Sequence, residues 1–135
     1  MEITPYLNFD GSCREAFAFY AATLGGTIEG MMTYGDSPAR EHSSPEMYDM
    51  VMHARLTARG AVLMGSDGPS HMQEKPQGFW VTIGLDDAEE GERIFGALSD
   101  GGKVVTPYAP TFWGVFGMTV DRYGIPWMIN ARTPS

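Results

Sequence analysis

The sequence predicts an α+β fold made of two tandem β-α-β-β-β modules, related by a pseudo-twofold axis and with their sheets curved around a cavity. Two observations support this prediction. VMHARLTARGAVLM, which starts at Val51, has the same pattern as VFGMTVDRYGIPWM, so that Gly60 falls on Gly124 at a shift of 64. The front of the chain repeats at a shift of 76, where Gly25 falls on Gly101. A repeat of this length sets the architecture of the whole chain.

Each half contains the same five elements in the same order. In the first half, Ser12 and Glu15 form a capping-box pattern at the start of an apolar helical stripe, and Gly25 and Gly26 end the helix. The predicted elements are a strand at 4–9, a helix at 12–24, and strands at 27–33, 50–58 and 61–66. In the second half they are a strand at 78–85, a helix at 87–100, a strand at 103–108 and a hairpin at 111–130.

The modules are assigned to residues 1–67 and 78–135, within one compact domain. The stretch between them, 68–77, has the sequence GPSHMQEKPQ and reads as a linker because it is rich in Gly, Pro and polar side chains.

Charge and composition exclude several classes of partner. Nine basic residues stand against seventeen acidic ones, which gives a formal net charge of −8. This balance argues against binding to nucleic acid or to an anionic membrane surface. No apolar run approaches the roughly 20 residues of a spanning helix, and the N-terminus does not resemble a signal peptide. The single cysteine, Cys13, fits the reducing environment of the cytoplasm.

Alternation along the strands separates side chains that face a helix from side chains that face the cavity. The predicted cavity lining is aromatic and thioether-rich with a few polar groups, and consists of Tyr6, Asn8, His53, Arg55, Met64, Trp80, Trp113, Met128 and Asn130. Applied to the second hairpin at the shift of 64, the same pattern assigns to the cavity side Val115, Gly117 and Thr119. It assigns to the core Phe112, Phe116, Met118 and Trp127. Such a lining is typical of a small-molecule pocket.

His53 is the titratable side chain expected inside the cavity. It is interpreted either as a general base or hydrogen-bond anchor, or as a half-buried histidine satisfied by the backbone or by Arg55. His42 and His71 lie in predicted loops and are expected to be solvated. Cys13 belongs to a helical stripe, without the base and exposure that a catalytic thiolate needs.

Four stretches resemble one family over nearly the whole chain. They are PYLNFDGSCREAFAFYAATLGG, YGDSP, GSDGP and TFWGVFGMTVDRYGIPWMIN. These are similar to the PhnB-like branch of the vicinal oxygen chelate superfamily, which is often labelled after a demethylubiquinone methyltransferase and which includes glyoxalases, dioxygenases and bleomycin-binding proteins. The chain has no strand-linked G-x-G-x-x-G loop for a methyl-donor nucleotide.

The resemblance implies a homodimer and, in metal-using members, ligands from the first and last strands of each module. At those positions this chain has Thr4, Met64, Trp80 and Met128. A hydroxyl, an indole and two thioethers are poor ligands for Zn²⁺, Mg²⁺ or Fe²⁺. We therefore expect no metal and no other cofactor.

Three functions stay open at this point. The first is a metal-free protein that binds or sequesters a small organic molecule. The second is a metal-independent isomerase or lyase with His53 as general base, so the sequence leaves open whether the protein is an enzyme. The third is an interaction protein with a collapsed cavity; a glyoxalase- or dioxygenase-like metalloenzyme is a further alternative that the residues at the ligand positions disfavour.

Overall fold

The computed structural model describes residues 1–68 and 74–132 and confirms the α+β fold class with its two tandem modules. The chain divides into two compact units, Met1–Glu74 and Lys75–Ser135. The elements of the first unit are β1 (Tyr6–Phe9), α1 (Cys13–Leu24), β2 (Thr27–Thr33), β3 (Val51–Ala58) and β4 (Ala61–Asp67). Those of the second are β5 (Val81–Leu85), α2 (Ala88–Ser99), β6 (Lys103–Pro110), β7 (Gly114–Val120) and β8 (Pro126–Arg132).

The two modules have the same sheet topology. The strand order is β1-β4-β3-β2 in the first and β5-β8-β7-β6 in the second, and in each sheet the first pair is parallel and the other two pairs are antiparallel. The repeat of pattern in the sequence therefore corresponds to a repeat of structure. The pseudo-twofold axis, the cavity and the domain boundaries stay predictions, and part of the predicted linker, including His71, lies outside the described residues.

In the first module, α1 covers one face of the sheet with the predicted apolar stripe. Phe17 and Tyr20 are fully buried, and Gly65 in β4 makes room for Phe17, because a methyl group there would lie 2.8 Å from the Phe17 ring. The predicted capping box is wrong. The Ser12 side chain makes no capping bond, since its backbone is not in the extended conformation of an N-cap, and the Asp67 carboxylate instead accepts the backbone N–H of Cys13 at 2.9 Å.

In the second module, α2 begins with a side-chain cap. The Asp87 carboxylate accepts the backbone N–H groups of Glu89 and Glu90, at 3.0 and 3.3 Å. The helix buries Ile94 and Leu98 against its sheet. None of the helices within 1–68 and 74–132 is long and apolar enough to cross a membrane.

The predicted facing of β7 is wrong by one residue. The turn between β3 and β4 has two residues, 59–60. The turn between β7 and β8 has three, 122–124, because the backbone N–H of Asp121 donates to the carbonyl of Ile125. Arg55 pairs with Met64, but it is Met118 that pairs with Met128, so β7 repeats β3 at a shift of 63. Because strand side chains alternate, a slip of one residue moves every side chain to the other face.

Three observations fix the corrected facing of β7. A methyl group at Gly117 would lie 2.7 Å from the Phe95 ring of α2, and the fully buried Thr119 bonds the hydroxyl of Ser99 at 2.9 Å. Val115 also lies on the α2 side. The prediction that Phe116 and Met118 belong to the core is wrong, because both point away from α2. The same prediction is wrong for Phe112, which is 97% exposed. Trp127 is in the core, as predicted.

Candidate functional site

The helix-free face of the first module, the sheet surface opposite α1, gathers five of the predicted lining residues. Leu7 and Phe9 of β1 are buried toward α1, so alternation places Tyr6 and Asn8 on the helix-free face. Met64 lies beside Tyr6 in the register of β1 and β4. The remaining two residues of this set are His53 and Arg55 of β3.

Tyr6 and His53 form a pair on this face. The Tyr6 hydroxyl lies 3.2 Å from His53 Nδ1, and the two rings are stacked with centroids 5.8 Å apart at 29°. When the hydroxyl donates, Nδ1 is the acceptor, and the neutral imidazole then has its proton on Nε2. This arrangement fixes the ring orientation and leaves Nε2 as the nitrogen free of Tyr6.

Arg55 is held by a carboxylate that the sequence did not assign to a site. Its Nε lies 3.6 Å from Glu29 Oε2, and the other oxygen of Glu29 accepts the Thr57 hydroxyl at 2.9 Å. Glu29 sits at an irregularity in β2, where the register shifts between Ile28 and Gly30. Both charged side chains are about half exposed, at 44% and 50%, so the pair orients the guanidinium more than it stabilises the fold.

The helix-free face of the second module, the sheet surface opposite α2, is aromatic. Trp113 is 45% exposed, its indole N–H donates to Asn130 Oδ1 at 3.0 Å, and its ring meets the Phe116 ring edge-on at 5.7 Å. Phe116 is the cross-strand neighbour of Asn130. Further along the face, the Thr82 hydroxyl approaches the Met128 sulfur at 3.6 Å.

A tight turn before β7 presents Trp113. The Thr111 hydroxyl donates to the carbonyl of Gly114 at 2.9 Å and accepts the Trp113 backbone N–H at 3.3 Å. Gly114 has φ 155°, and a side chain there would collide with the carbonyl of Ala131. The turn leaves Phe112 in solvent, with its ring edge-on to Trp113 at 4.7 Å.

Of the predicted lining residues, Trp80 is the least defined by its element. It is half-buried and precedes β5 by one residue. Sequence reasoning missed Phe116 and Met118 on this face. The signal was present in the turn at 122–124, which is one residue longer than the turn at 59–60 and therefore inverts the facing of β7.

Comparison with known proteins identifies the family. The family model for 3-demethylubiquinone-9 3-methyltransferase matches residues 1–130. The chain belongs to this family. The prediction of a PhnB-like member of the vicinal oxygen chelate superfamily is confirmed.

Individual relatives match along almost their full length. Protein YjdN of Escherichia coli is 33% identical over an aligned length of 139 residues, gaps included. The match covers 96% of this chain and 95% of that protein. The crystal structure of PA1353 from Pseudomonas aeruginosa is 43% identical, with a TM-score of 0.90 and 99% of each chain covered. A PhnB protein from Bacillus cereus, titled a putative 3-demethylubiquinone-9 3-methyltransferase, shares the fold at 24% identity and a TM-score of 0.77, covering 97% of this chain and 99% of that one.

The residues at the superfamily's metal positions do not fit a divalent ion in this family member. Thr4 precedes β1 and Trp80 precedes β5, while Met64 and Met128 are the neighbours of Tyr6 and Thr82 in their sheets. Thioether, indole and neutral hydroxyl groups do not bind Zn²⁺, Mg²⁺ or Fe²⁺ well. Within residues 1–68 and 74–132, no three His, Cys, Asp or Glu side chains are grouped so that they could hold a metal ion.

The other titratable candidates are Cys13 and His42. Cys13 is the first residue of α1 and is fully buried, and this burial, followed by the nearby Asp67 carboxylate, raises the pKa of the thiol to about 12. A thiol with this pKa is not a nucleophile near neutral pH. His42 is exposed in the loop after β2.

Proposed function

We propose that this PhnB-like protein binds or sequesters a small organic molecule without a metal or another cofactor, and that it does so on its helix-free sheet faces. The observation that carries the proposal is the exposed ring of Trp113. Nearly half of its side chain is exposed, while its one polar group is already satisfied by Asn130. A ligand can therefore cover the ring without leaving the indole N–H unbonded, which is the usual design of an aromatic contact in a small-molecule site.

The two faces supply different contacts. On the second module, Trp113, Phe116 and Met128 offer apolar area to a planar or apolar ligand. On the first module, His53 offers Nε2 as a hydrogen-bond anchor and Arg55 offers the donors not directed at Glu29. The remaining proposed contacts are Tyr6, Asn8, Met64, Trp80 and Asn130.

A thermal-shift screen of organic compounds tests this function. A ligand present at 100 times its Kd stabilises the protein by about 2.7 kcal/mol, which gives a clear rise in Tm. We expect the rise to be lost in Trp113→Ala and kept in Val105→Ala, a matched control with a similarly exposed apolar side chain in β6. A hit whose Tm rise is the same in both variants would contradict the proposal.

The hydrogen bond between Tyr6 and His53 in its opposite direction, with Nδ1–H donating to the Tyr6 oxygen, leaves Nε2 unprotonated and favours a second candidate, a metal-independent isomerase or lyase with His53 as general base. The two candidates differ in what His53→Ala does. In a binding protein it costs about 0.5–1.5 kcal/mol of affinity, the value of one neutral hydrogen bond. In an enzyme it leaves affinity nearly unchanged and lowers turnover about 10²- to 10⁴-fold.

We further propose that the protein is a cytoplasmic homodimer, because superfamily members commonly complete their cavities across subunits and the lone Cys13 suits a reducing compartment. Sedimentation at micromolar concentration should give twice the 14.8 kDa of one chain. A mass near 14.8 kDa would contradict the dimer, and fractionation to another compartment would contradict the location.

A further inference from the structure

An open groove of about 560 Å³ lies on the other side of the second sheet from Trp113, between α2 and β6. On the α2 side it is lined by two carboxylates, those of Glu89 and Glu92. The rest of its lining is largely apolar. The lining residues are Ala88, Glu89, Glu92, Phe95, Gly96, Val104, Pro107, Tyr108, Pro110 and Val115. None of them belongs to the faces assigned above.

The groove is built into the packing of Tyr108. The Tyr108 hydroxyl donates to the carbonyl of Ala88 at 2.8 Å, and its ring stacks on Phe95 with centroids 5.6 Å apart at 26°. This contact requires glycine at position 91, because a methyl group on Gly91 would collide with the hydroxyl. A methyl group on Gly96, by contrast, would meet no atom within 4 Å, so the groove stays open there. The apolar wall is therefore fixed before any ligand arrives.

β6 cannot easily close the groove by pairing with another strand. Its register with β7 shifts twice, between Val104 and Thr106 and again between Thr106 and Ala109, and Pro107 and Pro110 lack a backbone N–H. Bulges and prolines on an edge strand oppose strand addition. The structure thus favours a small ligand over an added strand as the occupant.

Charge indicates what kind of ligand fits. Glu89 and Glu92 are three residues apart on α2, and the lining contains no basic side chain. Within the described part of the chain, neither carboxylate has an ion-pair partner, unlike Glu90, which pairs with Arg93. Of the two, Glu92 also acts on the wall of the groove: burial is the main cause that raises the pKa of Tyr108, and the charges of Glu92 and then Asp87 add to it.

We propose that this groove binds a small organic cation with an apolar body. The ammonium group lies between the Glu89 and Glu92 carboxylates, and the apolar part lies against the Phe95–Tyr108 wall and Val104. The two exposed carboxylates attract the ammonium group at the edge of the open groove, and the tyrosine ring adds a cation–π contribution.

The test uses benzyltrimethylammonium as the probe in an NMR titration of the labelled protein, with benzyl alcohol as the neutral and benzenesulfonate as the anionic control. We expect shifts confined to α2 and β6, with the cation binding at least tenfold more tightly than either control and more weakly at high salt. Equal affinity for cation and alcohol, or shifts centred on Trp113, would overturn the proposal.

Variants sharpen the test without disturbing the core. The double variant Glu89→Gln/Glu92→Gln removes both charges and should weaken the probe about tenfold, whereas Glu15→Gln on α1 should not. Gly96→Leu should fill the open space and abolish binding. Trp113→Ala should leave it unchanged, so this site can fail independently of the proposed function. Probe affinity that survives both groove variants would contradict the site, as would a dimer that Gly96→Leu dissociates, because a second chain would then be the occupant.

Discussion

The two modules share a topology but present opposite chemistry on corresponding strand positions. In the corrected register, His53 of β3 corresponds to Phe116 of β7, and Arg55 corresponds to Met118. One sheet therefore offers a hydrogen-bonding imidazole and a guanidinium, and the other offers an aromatic and thioether surface around Trp113. A duplicated fold thus presents two chemically unlike sheet faces from one architecture.

The modules also start their helices differently, which gives the largest expected effect. Asp67 is fully buried, and its two oxygens accept the backbone N–H groups of Cys13 and Val51, both at 2.9 Å. In the second module, Asp87 is exposed and caps only α2. Asp67 therefore links a helix to a strand, whereas Asp87 acts on one helix end.

Asp67→Ala should lower the free energy of unfolding by about 3 kcal/mol or more, because it leaves two buried N–H groups without a charged acceptor. Asp87→Ala should cost about 1 kcal/mol, the usual value of an N-cap. Urea unfolding of both variants measures the difference. Equal losses of stability would show that the two aspartates have the same role, and they would contradict the difference between the two modules.

The second prediction tests the facing of β7. Gly117→Ala should destabilise by about 1–3 kcal/mol, because the new methyl group would press on Phe95 and on the backbone of Tyr108. Gly84→Ala is the matched control, since a methyl group there meets only an oxygen at 4.0 Å, an ordinary contact. If both variants are equally stable, Gly117 does not face α2.

The sequence predicted the elements and the order of each module, because alternation and helical spacing are local patterns that survive duplication. It predicted the facing of β1, β4 and β8, and of β3 from His53 onward, for the same reason. Val51, which alternation assigns to the cavity side, is instead buried, because the register of β3 with β2 shifts before His53. It missed the facing of β7, because a single shift of 64 assumes equal turns, whereas the turn after β7 holds one residue more than the turn after β3. The link from Asp67 to Cys13 was also out of reach, since 54 positions separate the two residues and no local pattern joins them.

The third prediction compares the corresponding positions directly. For a planar apolar ligand found by the screen, Phe116→Ala should weaken binding by about 1–2 kcal/mol, the value of a few tens of Å² of apolar contact. His53→Ala should weaken it less, by about 0.5–1.5 kcal/mol. Calorimetric titration measures both, and a larger loss at His53 would mean that the polar face carries recognition.

The smallest effect is expected from Tyr6→Phe, which keeps the ring stacked on His53 and removes only the hydroxyl. Without that hydroxyl, Nδ1 of His53 loses its hydrogen-bond partner, and the imidazole should redistribute its proton between the two nitrogens. Nitrogen-15 chemical shifts of the labelled ring report this directly, and ligand affinity should fall by at most about 1 kcal/mol. Tyr34→Phe is the control, because its hydroxyl donates to the Asp67 carbonyl instead. Ring shifts that are unchanged in Tyr6→Phe would show that another group orients His53, and the polar half of the proposed site would then need a different anchor.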